Sequence, residues 1–141
     1  MKRICVNCGS NPGFSPLYME MAEKLGQVLT ECNLELVYGG ADVGLMGKIA
    51  DTVLKSGGTV IGIIPKSFAH KVSHQGLTEL HVVGSMHERK AMMCDLSDGF
   101  IALPGGTRYR RSETVSHSKR QIEKLEKGIP GQSYGNLLRV A

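Results

Sequence analysis

Tryptophan is absent from this chain of 141 residues, and three phenylalanines and four tyrosines supply all of its aromatic rings. So few rings leave no platform of interleaved basic and aromatic side chains on which nucleic-acid bases could stack. Long apolar runs are missing too. No stretch approaches the ~20 residues of a membrane-spanning helix, and the chain enters a strand pattern at its third residue instead of a secretory leader. The expectation is a cytoplasmic protein without a membrane partner. Cysteine is scarce: Cys5, Cys8, Cys32 and Cys94. Cys5 and Cys8 form a Cys-x-x-Cys pair, but no second pair or His-x-His follows at ligand spacing, so no metal is expected. No Gly-x-Gly-x-x-Gly follows the first strand, which argues against a dehydrogenase. Internal repeats and low-complexity linkers are also lacking.

What is present is glycine, at 18 residues, in a composition 41% hydrophobic and 21% charged. That is the balance of one soluble domain over residues 1–141 with many tight turns. The net charge of +4 is unevenly spread. Residues 1–106 hold nine Lys/Arg against ten Asp/Glu, whereas residues 107–141 hold eight against three. A basic tail is one feature of nucleic-acid binders, but without aromatic partners a nucleic acid is not the expected ligand.

Strand and helix patterns alternate along the chain. Arg3–Asn7 reads as a strand, ending in the small polar loop Cys8-Gly9-Ser10-Asn11-Pro12-Gly13. Ser15-Pro16 supplies an N-cap and first helical residue for a helix to about Cys32, with Leu17, Met21, Leu25, Val28 and Leu29 on one face. Leu34–Tyr38 is a second strand, stopping at Gly39-Gly40. Leu45, Ile49, Val53 and Leu54 mark a helix that ends at Gly57-Gly58, and Thr59–Ile64 is a third strand closed by Pro65. Residues 66–78 read as a polar loop carrying His70, Lys71 and His74. Leu80–Val83 is a fourth strand, Met86 to about Leu96 a helix, and the apolar run of Asp98–Thr107, which ends at Pro104-Gly105-Gly106, a fifth strand. This order implies an α/β fold, a Rossmann-like parallel sheet flanked by helices in three layers. The glycine turns at Gly9, Gly39-Gly40 and Gly105-Gly106 all fall at strand carboxyl ends, where such sheets bind ligands.

The organising stretch is Asp98–Thr107, in which an apolar strand stops at Pro104-Gly105-Gly106-Thr107. Glycines there let backbone N–H groups approach an anion, and a following helix would add the positive end of its dipole. Cys8-Gly9-Ser10, Tyr38-Gly39-Gly40-Ala41-Asp42-Val43-Gly44-Leu45-Met46-Gly47, Met86-His87-Glu88-Arg89-Lys90 and Leu103-Pro104-Gly105-Gly106 occur in an order and spacing that resembles the LONELY GUY family of cytokinin-activating phosphoribohydrolases. The resemblance covers about residues 1–107. It implies a dimer that needs no cofactor and cleaves the N-glycosidic bond of adenosine-monophosphate-type nucleotides to free base and ribose 5-phosphate. It makes Arg89 the catalytic-site arginine and Lys90 its neighbour in the substrate site. Gly105, Gly106 and Thr107 would begin the phosphate loop, and Gly9 and Ser10 would line the nucleotide pocket. The alternative is a non-catalytic nucleotide-binding protein on the same fold.

Beyond Gly106 the chain leaves the family pattern Pro-Gly-Gly-x-Gly-Thr-x-x-Glu. Arg108 stands for the third glycine, Tyr109 for the threonine and Ser112 for the glutamate; Glu113 comes one residue late, a rotation of about 100° on a helix. Lys71 stands where family members often carry a substrate-contacting glutamate. Glu113 is the candidate carboxylate for the chemistry. Codons exist for Arg108–Ser112 from which the loss of one base would give Gly-Thr-Val-Glu, so a shifted frame is one reading of the tail. A shortened chain is another.

Overall fold

The structure is a computed structural model that describes residues 2–8 and 16–103. Five strands and four helices are found there: β1 (Arg3–Asn7), α1 (Pro16–Glu31), β2 (Glu35–Tyr38), α2 (Gly44–Lys55), β3 (Val60–Pro65), α3 (Lys66–Val72), β4 (Glu79–Val83), α4 (Met86–Leu96) and β5 (Gly99–Ala102). All strand pairs are parallel and the order is β4-β3-β2-β1-β5. The sheet is Rossmann-like, as expected from the alternating patterns.

Register explains why the strands read as continuous apolar runs. Ile4 pairs with Leu36 and Leu36 with Val60, giving a row on one face. The next row, Cys5, Val37 and Ile61, faces the opposite way. Both faces are covered, so both sets must be apolar. The first set packs with Met21, Leu25, Val28 and Leu29 of α1 and with Leu45, Ile49 and Val53 of α2. The second packs with Ile63, Val83 and Met93 of α4. Asp98 ties the starts of β5 and β1 by accepting from the N–H groups of Lys2 and Arg3 at 2.9 and 3.0 Å. Those two bonds hold its carboxyl below the usual carboxylate range.

The strand order decides which helix goes where. Between β1 and β3 the chain steps one way across the sheet; from β4 it returns past three strands to β5. Right-handed crossovers place α1 and α2 on one face and α4 on the other. Accordingly α4 touches β1, β2, β3 and β4, and its N-terminus lies just beyond the carboxyl end of β4.

One sequence expectation changes, and the fourth strand is found where it was expected. The stretch read as a polar loop over 66–78 contains α3, which buries none of its side chains and so writes no apolar stripe into the sequence. The strand read from Leu80–Val83 is an edge strand: Leu80 and Val82 are exposed and only Val83 is buried.

Where α1 meets α2, Gly26 lies against Thr52, and a Cβ at residue 26 would stand 2.9 Å from both Thr52 Cβ and Cγ2. Alanine in place of glycine favours a helix by about 1 kcal/mol, but overpacking typically costs about 1–3 kcal/mol. Because Thr52 is β-branched and buried, the clash should win. Gly26→Ala is expected to lower unfolding stability by about 1–2 kcal/mol in urea titration; a more stable variant would show that the helices can separate at little cost.

Candidate functional site

The site begins with how α4 starts. Ser85 caps it, its side chain accepting from the Glu88 N–H at 3.2 Å, and Glu88 Oε2 reaches back to the Gly84 N–H at 2.7 Å. This reciprocal arrangement is close to a capping box. It fixes the first turn of the helix, from which Arg89 projects under the carboxyl ends of the strands.

Arg89 is half-buried. Its Nε donates to the carbonyl of Ile63 in β3 at 2.9 Å, and Nη2 donates to the carbonyl of Gly39 just past β2. Nη1 lies 3.9 Å from the Met86 sulfur. Gly39 leaves room for this seat: a Cβ there would collide with Arg89 Nη2 and stand 3.1 Å from Met46 Cε. Burial pulls the guanidinium pKa down from its ordinary value, yet an arginine stays cationic at neutral pH. Arg3–Glu35, Lys48–Glu23, His74–Asp51 and His81–Glu79 are ion pairs among the described residues, and none of them places a carboxylate against Arg89. A guanidinium carries five N–H donors, and the two carbonyls and one sulfur do not use them all.

Cys5 and Cys8 bear on the charge of Arg89. Burial pushes both thiols up to about 12, so the neutral form prevails and no thiolate compensates the arginine. Cys94 on α4 is exposed. No group of three His, Cys, Asp or Glu gathers for a metal among the described residues.

The sequence candidates divide unequally. The structure brings Arg89 to the rim of β2 and β3. Lys90 is exposed on α4, one residue on, which is about 100° away on a helix. Gly9, Ser10, Gly105, Gly106, Thr107 and Glu113 lie outside the described residues. β1 and β5 end side by side, with Asn7 opposite Ala102 and the Leu103 N–H donating to the Asn7 carbonyl at 2.8 Å. That pair is the topological switch of the sheet, the place where open α/β folds bind ligands. Sequence reasoning noted His74 only as a loop residue and passed over its pairing with Asp51, 23 residues away, at 2.6 Å; no local signal joins them.

The sheet order defines a Rossmann-like α/β protein, with a half-buried arginine at its carboxyl rim that has no carboxylate partner among the described residues. Residues 46–107 match the family model described as "Possible lysine decarboxylase". A cytokinin riboside 5′-monophosphate phosphoribohydrolase of Rhodococcoides fascians is 54% identical over 107 residues, covering 74% of this chain and 54% of that protein. A cytokinin riboside 5′-monophosphate phosphoribohydrolase of Oryza sativa subsp. japonica is 42% identical over 131 residues, 91% of this chain and 54% of that one. Among solved structures, the molybdenum cofactor binding protein of Rippkaea orientalis superposes with a TM-score of 0.65 at 25% identity, covering 89% of this chain and 69% of that one. The chain belongs to the LONELY GUY family. It spans about half the length of the curated relatives it matches.

Iodoacetamide at pH 8 should label Cys94 in the native protein, reach the half-buried Cys8 far more slowly and reach Cys5 only after unfolding. A thiol titrating near 12 is about one part in 10⁴ thiolate at that pH, and the thiolate is the reacting form. Native labelling of Cys8 as fast as Cys94 would reveal a thiolate beside Arg89 and remove the case for an uncompensated cation.

Proposed function

We propose that this chain is the nucleotide-binding part of a nucleoside 5′-monophosphate phosphoribohydrolase. It would hydrolyse the N-glycosidic bond of AMP or a cytokinin riboside monophosphate to free base and ribose 5-phosphate. The observation that carries the reading is Arg89, half-buried at the strand carboxyl ends with no carboxylate partner among the described residues. A buried charge without a counter-ion is costly, and an anionic substrate is the partner that would repay it. The activity of the curated relatives supports the same conclusion.

In this reaction water adds to the ribose anomeric carbon, the carbon–nitrogen bond breaks, and the base leaves with its bonding pair and takes up a proton. Positive charge builds on ribose while negative charge builds on the base. A carboxylate near the anomeric carbon would stabilise the first and accept the proton of the attacking water; Glu113 is the candidate. Arg89 would meet the second with its remaining N–H donors. Gly105, Gly106 and Thr107 would hold the 5′-phosphate. Gly9, Ser10 and Lys90 would line the rest of the pocket. No cofactor enters the scheme. The family likeness further suggests a homodimer in the cytoplasm, and no helix among the described residues is long and apolar enough to cross a membrane.

Release of adenine from AMP by the purified chain, with its intact mass checked, is the direct test. Arg89→Ala should reduce release by about 100-fold or more, the scale of losing a donor to developing charge. The variant should stay folded. The orphaned Gly39 and Ile63 carbonyls cost about 1–3 kcal/mol each if left dry, but relief of a buried charge offsets part of this. Unchanged turnover would remove Arg89 from the reaction. The combined variant Arg108→Gly, Tyr109→Thr and Ser112→Glu should raise activity above that of the parent chain. Retained AMP binding with no base release from either protein would favour the non-catalytic reading.

A further inference from the structure

The turn that seats Arg89 is itself held from outside by a strap formed from residues 72–76. The Asp42 N–H donates to the Val72 carbonyl at 2.8 Å and the His74 N–H donates to the Gly40 carbonyl at 2.9 Å, with Ala41 and Ser73 facing each other as an antiparallel bridge. From the inner side, the Tyr38 hydroxyl donates to the Ala41 carbonyl at 2.8 Å. Gly39, whose carbonyl receives Arg89, is the residue next to Gly40. Movement of the strap therefore moves an acceptor of the arginine.

What anchors the strap is the His74 ring. Its Nδ1 accepts from the Gly76 N–H at 2.9 Å, so Nδ1 carries no proton and Nε2 does. That Nε2–H donates to Asp51 Oδ1 on α2 at 2.6 Å. The ring is 12% exposed while Asp51 is 56% exposed, so the histidine is enclosed and the aspartate reaches in from the surface. One side chain thus ties the strap to its own backbone two residues on, and to the helix that follows the glycine turn. Gly40 has φ +79° and its backbone lies close to β3: a Cβ at Gly62 would stand 2.9 Å from Gly40 Cα. A turn of glycines has little side-chain packing to keep its shape, so external ties must do so.

We propose that His74 and Asp51 are positioning residues for Arg89. Their hydrogen bond holds the 72–76 strap against Gly40, and so keeps the Gly39 carbonyl where the guanidinium is seated. The positioning claim stands on the geometry; its catalytic consequence rests on the phosphoribohydrolase reading.

Two measurements on the same preparations separate the two. The rate at which phenylglyoxal modifies Arg89, followed by peptide mass mapping, needs no turnover. Asp51→Ala should raise that rate severalfold. Asp51→Asn keeps an acceptor oxygen for the His74 Nε2–H and should restore the parent rate. Adenine release is the second measurement: Asp51→Ala should lower kcat more than it raises KM, and Asp51→Asn should recover it. Residue 51 is an exposed helix position where alanine is well tolerated, and circular dichroism confirms folding. Unchanged Arg89 modification in Asp51→Ala overturns the clamp, whether or not the parent releases adenine. Faster modification in Asp51→Ala, when the parent releases no adenine, supports the clamp and defeats the functional reading. Failure of Asp51→Asn to restore the parent rate also overturns it, since the hydrogen bond would not be the tie.

Discussion

The hydrogen bonds from Arg89 to the Ile63 and Gly39 carbonyls set the terms for this site. A carboxylate in their place would orient the guanidinium equally well but would cancel its charge. Carbonyl oxygens orient without cancelling. Their partial negative charge offsets some of the desolvation cost, and the net positive charge remains for a ligand. The arrangement also explains local sequence choices. Gly39 must lack a side chain because the guanidinium occupies that space. Ser85 and Glu88 must fix the first turn of α4, because Arg89 lies within one turn of the cap.

Strand order supplies the larger constraint. With the sheet running β4-β3-β2-β1-β5, the return crossing carries one helix over the second face. Its start is therefore placed at the carboxyl rim, near β2 and β3. The switch between β1 and β5 is about two strand spacings away, or ~10 Å, a distance of the order of a nucleotide. An anion held beyond β5 and a cation beneath β2 and β3 would grip opposite ends of one ligand. This geometry favours assigning Arg89 to the base and ribose end, with the phosphate left to the glycine turn after Leu103.

Much of this was legible in the sequence because burial leaves a pattern. β1, β2 and β3 are buried on both faces and read as apolar runs, while α1 and α2 carry stripes that face the sheet. α3 escaped notice because it buries nothing, and periodicity reports burial before it reports helix. Arg89 was legible through the motif around it, but its lack of a carboxylate partner among the described residues was not, since that depends on which elements the fold brings near. His74 read as one basic side chain in a loop. Its meaning comes from Asp51, 23 residues earlier in the chain with β3 and α3 between them, and pairwise meetings of that kind leave no local trace.

Binding and chemistry separate along this chain. Residues 2–8 and 16–103 contain the sheet, the cation and the two carbonyls that seat it. The reaction needs a carboxylate as well, and the family's position for it holds Ser112. A serine can donate or accept a hydrogen bond but cannot carry the negative charge that an oxocarbenium-like ribose calls for. Glu113 has the charge but is rotated by about 100° if the segment is helical. Arg108, where the family has glycine, adds both a side chain and a second cation near the expected phosphate turn. It would strengthen attraction for an anion while blocking close approach of its backbone. Under the proposed function the two departures would act in the same direction, preserving affinity for a nucleotide more readily than turnover.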